Sequence, residues 1–425
     1  MAERAPGFGA YLVVTAAYWA FMLTDGALRM LVLLHFHELG FGPIQLAYLF
    51  LLYEFMGVVT NLSAGWVAAR FGLTRTLYAG LALQVVALAM LARLDAGWSM
   101  TISVLFVMTA QGLSGVAKDL TKMSAKSAVK VLTPGNAEGQ LFRWVALLTG
   151  SKNAVKGLGF LAGAAALSVF GFEASVIGMA AMLGLILLGA LLLMPAGLPA
   201  GRKSAKFQEV LSKDPDINRL SAARFFLFGA RDVWFVVGIP IYFHSVFSDG
   251  TPEGAREAFF LVGGFMAIWI IGYGIVQASA PKLLRAKGKP LGDIVRLARF
   301  WVGVLTLAPA TLAVLAWTAD GAYWLTAALI VGLLIFGATF ALNSALHSYL
   351  ILAFSKSERV TMDVGFYYMA NAAGRLAGTL LSGVSYSLGG LVACLGVAAA
   401  MAAASWAMAS ILSSRRNAAQ RASGL

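Results

Sequence analysis

Charged side chains lie deep inside several long apolar segments of this 425-residue chain. Counting about 1.5 Å per residue from the start of each segment places these charges at the centre of a lipid bilayer, or within one turn of it, if the segments cross one. Ionisable groups at that depth are costly and usually mark a path for substrate or protons. The cations are Arg29, Lys152, Lys156, Arg231 and Arg375, and the acids are Asp25, Glu54 and Asp232.

The five cations of this set outnumber the three acids. If every acid pairs with a cation, about two positive charges are left for a ligand to neutralise. Such an excess suits a multivalent anion, because arginine can clamp a phosphate-like group with two parallel hydrogen bonds and lysine adds a point charge. Structural ion pairs that fix the register of the helices are the alternative. The excess of positive charge favours a substrate site.

The three acids are also candidates to carry the proton that drives transport, because the protonation of a buried carboxyl group depends on burial and on nearby cations. A permanent ion pair is the structural alternative for each acid. Side chains that could add hydrogen bonds to the same site are Asn153, Asn343, His347 and Asn371. His347 fits a packed core histidine equally well.

The composition indicates the elements that carry these residues. The chain is 60% hydrophobic and 12% charged, with a mean hydropathy of +0.81, which is more apolar than a soluble domain can bury. Apolar segments of about 20 residues or more are long enough to cross a bilayer as helices. We therefore predict an all-α polytopic membrane protein with twelve spans. These are 10–37, 44–69, 75–94, 99–123, 139–169, 174–194, 219–247, 258–280, 294–317, 322–354, 361–387 and 389–412.

Alternate loops between the spans carry nearly all of the cationic charge, whereas the intervening loops hold acids such as Glu38, Asp95 and Glu173. This asymmetry is the positive-inside pattern and predicts that both termini are cytoplasmic. The net charge of +13 is therefore explained by membrane topology, and we predict no nucleic-acid partner.

Four lysines at every fourth position, Lys118, Lys122, Lys126 and Lys130, form a stripe at the inner end of the fourth span. Lys126 and Lys130 lie beyond the hydrocarbon and suit a positive-inside anchor. For Lys118 and Lys122 two interpretations stay open, the same anchor or a cytoplasmic entrance that attracts anions.

Metal chemistry is not expected. His35 and His37 lie at the outer end of the first span, where polar residues are tolerated, and a lone His-x-His pair rarely suffices as a ligand set. The single cysteine, Cys394, excludes disulfides within the chain and thiolate metal sites. We predict neither a metal nor a cofactor.

The longest polar segment lies between the sixth and seventh spans. We predict an N-terminal six-helix half at 1–195, a central cytoplasmic loop at 196–218 and a C-terminal six-helix half at 219–425. A repeat supports this division, since Asp25 and Asp232 each lie twelve residues before a histidine that follows a phenylalanine.

The repeat continues in the fifth and eleventh spans, where Lys156 and Gly159 match Arg375 and Gly378. Twelve spans in two repeated halves resemble the major facilitator transporters, whose substrate site lies near the midplane. The spans that pack outside the cavity of the resembled fold, the third, sixth, ninth and twelfth, have no charge in their interiors.

The segment GWVAARFGLTR also resembles the loop motif of this superfamily, with Ala69 in place of its usual Asp. The residues of this gating motif are Gly65, Arg70, Gly72 and Arg75.

Longer segments resemble a narrower family. YWAFMLTDGALRMLVLLHFHELG, GVAKDLTKMSAKSAVK, RWVALLTGSKNAVKG, SAARFFLFGARDVWFVVGIPIY and VGFYYMANAAGRLAGTLLSG look like signature segments of the ArsJ-type organoarsenical efflux permeases. The likeness covers most of the chain and weakens in the central loop, the outer loop SDGTPEGAREA and the C-terminal tail. It implies a multi-pass bacterial inner-membrane protein that exports 1-arseno-3-phosphoglycerate and gives arsenate resistance. It also implies a functional link to the glyceraldehyde-3-phosphate dehydrogenase that makes this substrate from arsenate.

Such a substrate carries an oxyanion at each end. Our hypothesis assigns one oxyanion to Arg29, Lys152 and Lys156 and the other to Arg231 and Arg375. The asparagines three and four residues before Lys156 and Arg375 could orient the ester between them.

A general exporter or exchanger of phosphorylated three-carbon acids is the nearest alternative, because it would need the same cations. An enzyme or a sensor is a different class of protein. The chain offers no set of nucleophile, base and orienting group at one depth, and we do not expect an enzyme. Energy coupling stays open between protons and the gradient of a rapidly decaying product. A monomer is the usual expectation for this architecture.

Overall fold

The computed structural model describes residues 8–95, 97–132, 138–194, 212–285, 289–319, 322–355 and 360–412. These residues are almost entirely helical and contain no strand, which confirms the predicted all-α fold class. The helices are α1 (Phe8–Glu38), α2 (Pro43–Phe71), α3 (Leu73–Leu91), α4 (Met100–Leu132), α5 (Glu138–Leu193), α6 (Pro215–Val233), α7 (Ile239–Phe247), α8 (Pro252–Leu283), α9 (Leu291–Thr318), α10 (Leu325–Phe354) and α11 (Val360–Ser410).

Two of the helices are each long enough for two spans. α5 has 56 residues and α11 has 51, so each would extend about 80 Å if straight, more than twice the hydrocarbon thickness of about 30 Å. The helical backbone is interrupted at Gly171 (φ 75°, ψ −179°) and at Gly390 (φ 58°, ψ −149°). Glycine adopts positive φ without steric cost. The predicted boundaries between spans five and six and between spans eleven and twelve fall at these two breaks.

The seventh span is continuous in sequence but irregular in structure. A π-helical turn at Trp234–Gly238 joins α6 to α7. Pro240 has no N–H to donate to the carbonyl four residues back, which interrupts the regular helical ladder at this point. The Ser382 hydroxyl oxygen accepts hydrogen bonds from the backbone N–H groups of Val237 and Gly238, both at 3.2 Å. The bend is thus held by a side chain of α11.

The helices are suited to a lipid environment. Ten helical stretches of the described residues are long and apolar enough to cross a membrane. Counting the two stretches that break at glycine as pairs agrees with the twelve predicted spans. Large apolar side chains also face outward, including Leu388, which is 82% exposed, and Leu192, which is 75% exposed. Surfaces of this kind are stable against hydrocarbon and costly in water.

The chain forms two compact units. Unit one comprises Met1–Phe41, Tyr48–Gln208 and His244–Ile271, and unit two comprises Gly42–Ala47, Glu209–Phe243 and Gly272–Leu425. The division into halves at 195 and 219 stays a prediction. Most of the central loop lies outside the described residues, and α6 begins at Pro215, four residues before the predicted span.

In unit one, α1 packs along α5 and α3 packs along α4. The contact between α1 and α5 requires glycine, since a Cβ atom on Gly159 would lie 2.4 Å from the backbone carbonyl oxygen of Leu23, beside Gly26. Small residues allow membrane helices to approach closely. This approach brings the side chains of Asp25 and Lys156 within reach of each other.

In unit two, α11 packs along α6 and α9. A Cβ atom on Gly378 would lie 2.7 Å from the carbonyl oxygen of Gly229 and 2.9 Å from the Cβ atom of Asp232. Glycine therefore sets the distance between α6 and α11 in the same way. The aromatic core beside this contact includes Trp234 against Phe336, with ring centroids 5.4 Å apart.

Candidate functional site

A buried cluster of charges in unit one is centred on Asp25 of α1. Its Oδ2 atom lies 2.5 Å from Nζ of Lys156 on α5, and its Oδ1 atom accepts a hydrogen bond from the Tyr53 hydroxyl on α2. Asp25 is only 3% exposed. The acid therefore has both a cationic and a neutral donor, which offset the cost of its burial.

A second ion pair joins α1 to α2, one turn after Asp25 on α1. Nη2 of Arg29 lies 2.6 Å from Oε1 of Glu54, and both residues are buried. The Arg29 guanidinium carbon is 5.4 Å from the centre of the Tyr53 ring, and Nζ of Lys118 lies 4.0 Å from the same centre. We call these six residues the Asp25 cluster: Asp25, Arg29, Tyr53, Glu54, Lys118 and Lys156.

The two described lysines of the α4 stripe lie in different surroundings. Lys118 is only 9% exposed and belongs to the Asp25 cluster, because its Nζ atom lies over the Tyr53 ring. Nζ of Lys122 lies 2.5 Å from Asp119 and donates a hydrogen bond to Asn61 at 2.9 Å. Asp119 also accepts a hydrogen bond from Thr60 at 2.8 Å. The side chains of Lys126 and Lys130 lie outside those described.

The corresponding cluster of unit two is centred on Asp232 of α6. Nη2 of Arg231 lies 2.5 Å from Oδ1 of this acid, and Nε of Arg375 on α11 lies 3.1 Å from Oδ2. Asp232 has no exposed surface. The guanidinium carbon of Arg231 is also 4.8 Å from the ring centre of Phe228. We call Arg231, Asp232 and Arg375 the Asp232 cluster.

The sequence repeat is present in these contacts. The two acids that match in the repeat pair with the two cations that match, so Asp25–Lys156 and Asp232–Arg375 form the same ion pair within their own units. The backbone approach beside each pair also occurs at the matched glycines, Gly159 and Gly378. Such a coincidence of sequence and geometry supports an internal repeat.

Each cluster has one more cation than it has carboxylates. The Asp25 cluster contains Arg29, Lys118 and Lys156 against two acids, and the Asp232 cluster contains two arginines against one acid. Lys118, which the sequence suggested for the cytoplasmic entrance, is one of these cations. Buried positive charge of this kind attracts anions.

The other predicted binding residues lie on α5, α10 and α11. Lys152 and Asn153 are half-buried on α5, one turn before Lys156. Asn343 and His347 are fully buried on α10, and Nδ2 of Asn343 donates to the carbonyl oxygen of Thr339 at 3.0 Å. The side-chain oxygen of Asn371 accepts a hydrogen bond from Arg224 at 2.9 Å, a partner that the sequence did not suggest.

Two buried residues were missed from the sequence. Arg224 lies near the start of the seventh predicted span, and it precedes Arg231 by seven positions and so shares its helix face. Tyr53 directly precedes Glu54, yet tyrosine in a span usually indicates packing or an interfacial belt. A search for polar residues on the faces that carry Arg231 and Glu54 would have identified both.

The gating motif is described only in part. Gly72 caps the start of α3 with φ 88°, and Arg75 is exposed. The side chains of Gly65 and Arg70 lie outside those described. No charge pair of this motif is therefore assigned.

The histidines near the C-terminal ends of α1 and α7 make aromatic contacts. His35 stacks on Phe172 with ring centroids 4.3 Å apart, and His37 meets His244 edge to face at 5.1 Å. Within the described ranges, no group of three or more His, Cys, Asp or Glu side chains could hold a metal ion.

A family model described as the Major Facilitator Superfamily matches residues 10–378. The chain belongs to the major facilitator superfamily. It is therefore a multi-span membrane protein of the secondary transporter kind. No curated protein matches the sequence.

Solved major facilitator-like transporters share the fold. A POT family transporter in complex with 5-aminolevulinic acid gives a TM-score of 0.72 at 14% identity, over 96% of this chain and 95% of that chain. The nucleoside transporter NupG gives a TM-score of 0.67 at 16% identity, over 95% of this chain and 98% of that chain. A bacterial homologue of the iron transporter ferroportin, in an inward-facing state, gives a TM-score of 0.68 at 14% identity. This match covers 95% of this chain and 98% of that chain. At such identities the likeness shows the fold alone.

Within a major facilitator protein, the positions of the clusters are informative. The charges lie on α1, α2, α4, the first part of α5, α6 and the first part of α11, and the interiors of α3 and α9 contribute none. Intramembrane charge on the other helices is the usual mark of a transport site.

Proposed function

We propose that the chain exports an organic anion with phosphate-like groups, and that this anion is 1-arseno-3-phosphoglycerate, whose removal gives the cell resistance to arsenate. The observation that carries the proposal is that the described residues include two buried clusters, Asp25 and Asp232, in which several cations from different helices meet. The superfamily supplies the transport activity. The resemblance to ArsJ-type permeases supplies the identity of the anion.

The ion pairs suggest how such an anion is held. An isolated buried charge is costly, so Lys156 and Arg375 are stabilised by Asp25 and Asp232. A phosphate-like group offers these cations more acceptor oxygens than one carboxylate does and can bind arginine in a bidentate way. The anion therefore competes with the acids for the same donors.

The same competition provides a route to proton coupling. An acid whose cation is engaged by substrate loses its electrostatic stabilisation and binds a proton more readily. Asp25 and Asp232 contact Lys156 and Arg375 and occupy matched positions of the repeat, so they suit this role best. Glu54, which pairs with Arg29, is the third candidate. Proton binding and substrate binding would then occur together on one cluster.

The cellular test uses an arsenate-sensitive bacterial strain without its own arsenic exporters. Expression of the chain together with an arsenate-tolerant glyceraldehyde-3-phosphate dehydrogenase is expected to restore growth on arsenate, and neither protein alone is expected to do so. Resistance to arsenite should not change, because arsenite does not form the ester. Growth on arsenate that is the same without the dehydrogenase would contradict the proposed substrate.

The proposal includes the location and partners expected from the resemblance. The chain acts in the bacterial inner membrane with cytoplasmic termini, as a monomer that depends on the dehydrogenase for its substrate. The rival function, exchange of phosphorylated three-carbon acids, requires the same cations. It predicts transport of plain 3-phosphoglycerate at the same rate.

A further inference from the structure

A buried arginine outside both clusters has no carboxylate partner within the described ranges. Arg224 of α6 is only 4% exposed. Among the residues that the structure describes, no acid lies within ion-pair distance of its guanidinium, and all of its hydrogen bonds go to neutral groups. Burial of a cation without a counter-charge is strongly unfavourable. An anion bound next to the Arg224 guanidinium would offset this cost.

The guanidinium is held in a fixed orientation by its neighbours. Nε donates to Oδ1 of Asn371 at 2.9 Å, and Nη1 donates to the hydroxyl and carbonyl oxygens of Ser344 at 3.1 and 3.3 Å. The rings of Phe228 and Tyr367 lie 4.0 and 5.0 Å from its central carbon. Nη2 donates to none of the described residues, so one edge of the planar fork keeps its donors for a ligand.

The groups around Ser344 extend this polar region. The Ser344 hydroxyl also lies 3.1 Å from Nε2 of Gln277 and 3.3 Å from the Tyr273 hydroxyl. One turn along α10, His347 is completely buried, and neither of its ring nitrogens has a hydrogen-bond partner among the described residues. A buried imidazole is expected to form at least one hydrogen bond. Its missing partner is the second observation that points to a ligand.

The sequence repeat shows that this arrangement is specific to unit two. The position that matches Arg224, eight residues before the paired acid, is Ala17 in the first half. The position that matches Asn371, four residues before the paired cation, is Lys152. Of these two pairs of matched positions, the first half therefore has a cation on α5, Lys152, and the second half has one on α6, Arg224.

We propose that Arg224, Asn371 and Ser344, with His347 beside them, form a subsite for one phosphate-like oxyanion. The inference rests on the proposed function for the class of cargo, an organic oxyanion. Arg224 precedes Arg231 by two helical turns, about 10 Å along α6, on the side that the positive-inside pattern assigns to the cytoplasm. The subsite thus binds an oxyanion of the cargo on the cytoplasmic side of the Asp232 cluster.

The test measures thermal unfolding of the purified full-length protein in detergent, titrated with inorganic phosphate at constant ionic strength set with chloride. Phosphate is expected to raise the unfolding midpoint of the wild type by a few degrees, because a ligand that binds the folded state stabilises it. In Arg224→Gln the phosphate concentration for half of this shift should rise about tenfold or more, since a charged hydrogen bond is lost. Arg299→Gln is the matched control, because Arg299 donates to backbone carbonyls at the end of α11 and should keep the full response.

A second variant covers the case in which Arg224→Gln fails to fold. Asn371→Asp introduces a carboxylate of nearly the same shape next to Nε of Arg224. The variant should be more stable than the wild type without phosphate and should respond less to phosphate. A wild type that does not respond, an unchanged response in Arg224→Gln, or a less stable Asn371→Asp with a full response would each overturn the subsite.

The measurement separates this inference from the proposed function. No arsenical is present, so a normal phosphate response in wild type together with failure of the growth test would contradict only the identity of the cargo. Arsenate resistance together with a phosphate response that does not depend on Arg224 would contradict only the subsite.

Discussion

At the scale of single residues, the geometry of a cation is expected to matter as well as its charge. Arg375 contacts Asp232 through Nε at 3.1 Å, and a planar fork in this position can also bind a phosphate-like oxygen pair. Arg375→Lys keeps the positive charge and loses the fork. Substrate uptake into inside-out vesicles should fall about tenfold or more, with normal amounts of protein in the membrane. Undiminished arsenate resistance in this variant would contradict the assignment.

The buried ion pair of unit one makes a prediction about stability. Asp25→Asn removes the carboxylate that contacts Lys156 and leaves a buried cation with less compensation, at a cost of about 3–5 kcal/mol. The unfolding midpoint should therefore fall. Adding Lys156→Met to this variant removes the cation as well and should recover most of the loss. A double variant as unstable as Asp25→Asn would show that the pair does not act as a unit.

The sequence identified most of the charged residues of the clusters because charge is rare in apolar segments. It could not show that Lys118 points inward, since a lysine near a helix end is usually an interfacial anchor. Arg224 was hidden by its place five residues into the predicted span at 219–247. The ring of Tyr53 and the neutral partners of Arg224 come from other helices, and sequence spacing contains no information about those contacts.

At the scale of helices, the approach of α6 to α11 is expected to control the Asp232 cluster. A Cβ atom on Gly378 would lie 2.7 Å from the carbonyl oxygen of Gly229, so Gly378→Ala should push the helices apart and separate Arg375 from Asp232. The folded yield in size-exclusion chromatography and the uptake rate should both fall several-fold. Gly396→Ala, on the same helix with open space around its position, should be tolerated. Equal behaviour of the two variants would contradict this account.

The spans themselves were predictable from length and hydropathy. The breaks at Gly171 and Gly390 were also anticipated, because the predicted boundaries fall beside them. The π-helical turn at Trp234–Gly238 was not predicted, although Pro240 was visible. A proline can kink a helix, end it, or be accommodated within it. The outcome here depends on Ser382 of a different helix.

At the scale of the whole molecule, the coupling of transport to protons can be tested directly. If Asp25 carries the driving proton, a pH gradient should stimulate uptake into vesicles that contain wild type and should have no effect on Asp25→Asn. Asp293→Asn is the control, because this exposed acid at the start of α9 pairs with Arg296 outside both clusters. Stimulation that persists in Asp25→Asn would assign the coupling to another group.

The superfamily and the repeat were recognisable from twelve spans and two matched ion-pair positions, since both follow from patterns along the chain. The identity of the cargo does not follow from those patterns. Two clusters with excess cations fit any anion of similar charge, including plain phosphoglycerate. A direct measurement of the transported molecule is therefore needed.

The measurement that tests the central claim uses inside-out vesicles supplied with glyceraldehyde-3-phosphate dehydrogenase, NAD, labelled arsenate and glyceraldehyde 3-phosphate labelled in its phosphorus. The account predicts that arsenic and phosphorus enter the vesicles in equal amounts, and only when the dehydrogenase is present. Vesicles with Arg375→Lys should accumulate little of either label. Entry of phosphorus without arsenic at the same rate would contradict export of the arsenylated molecule.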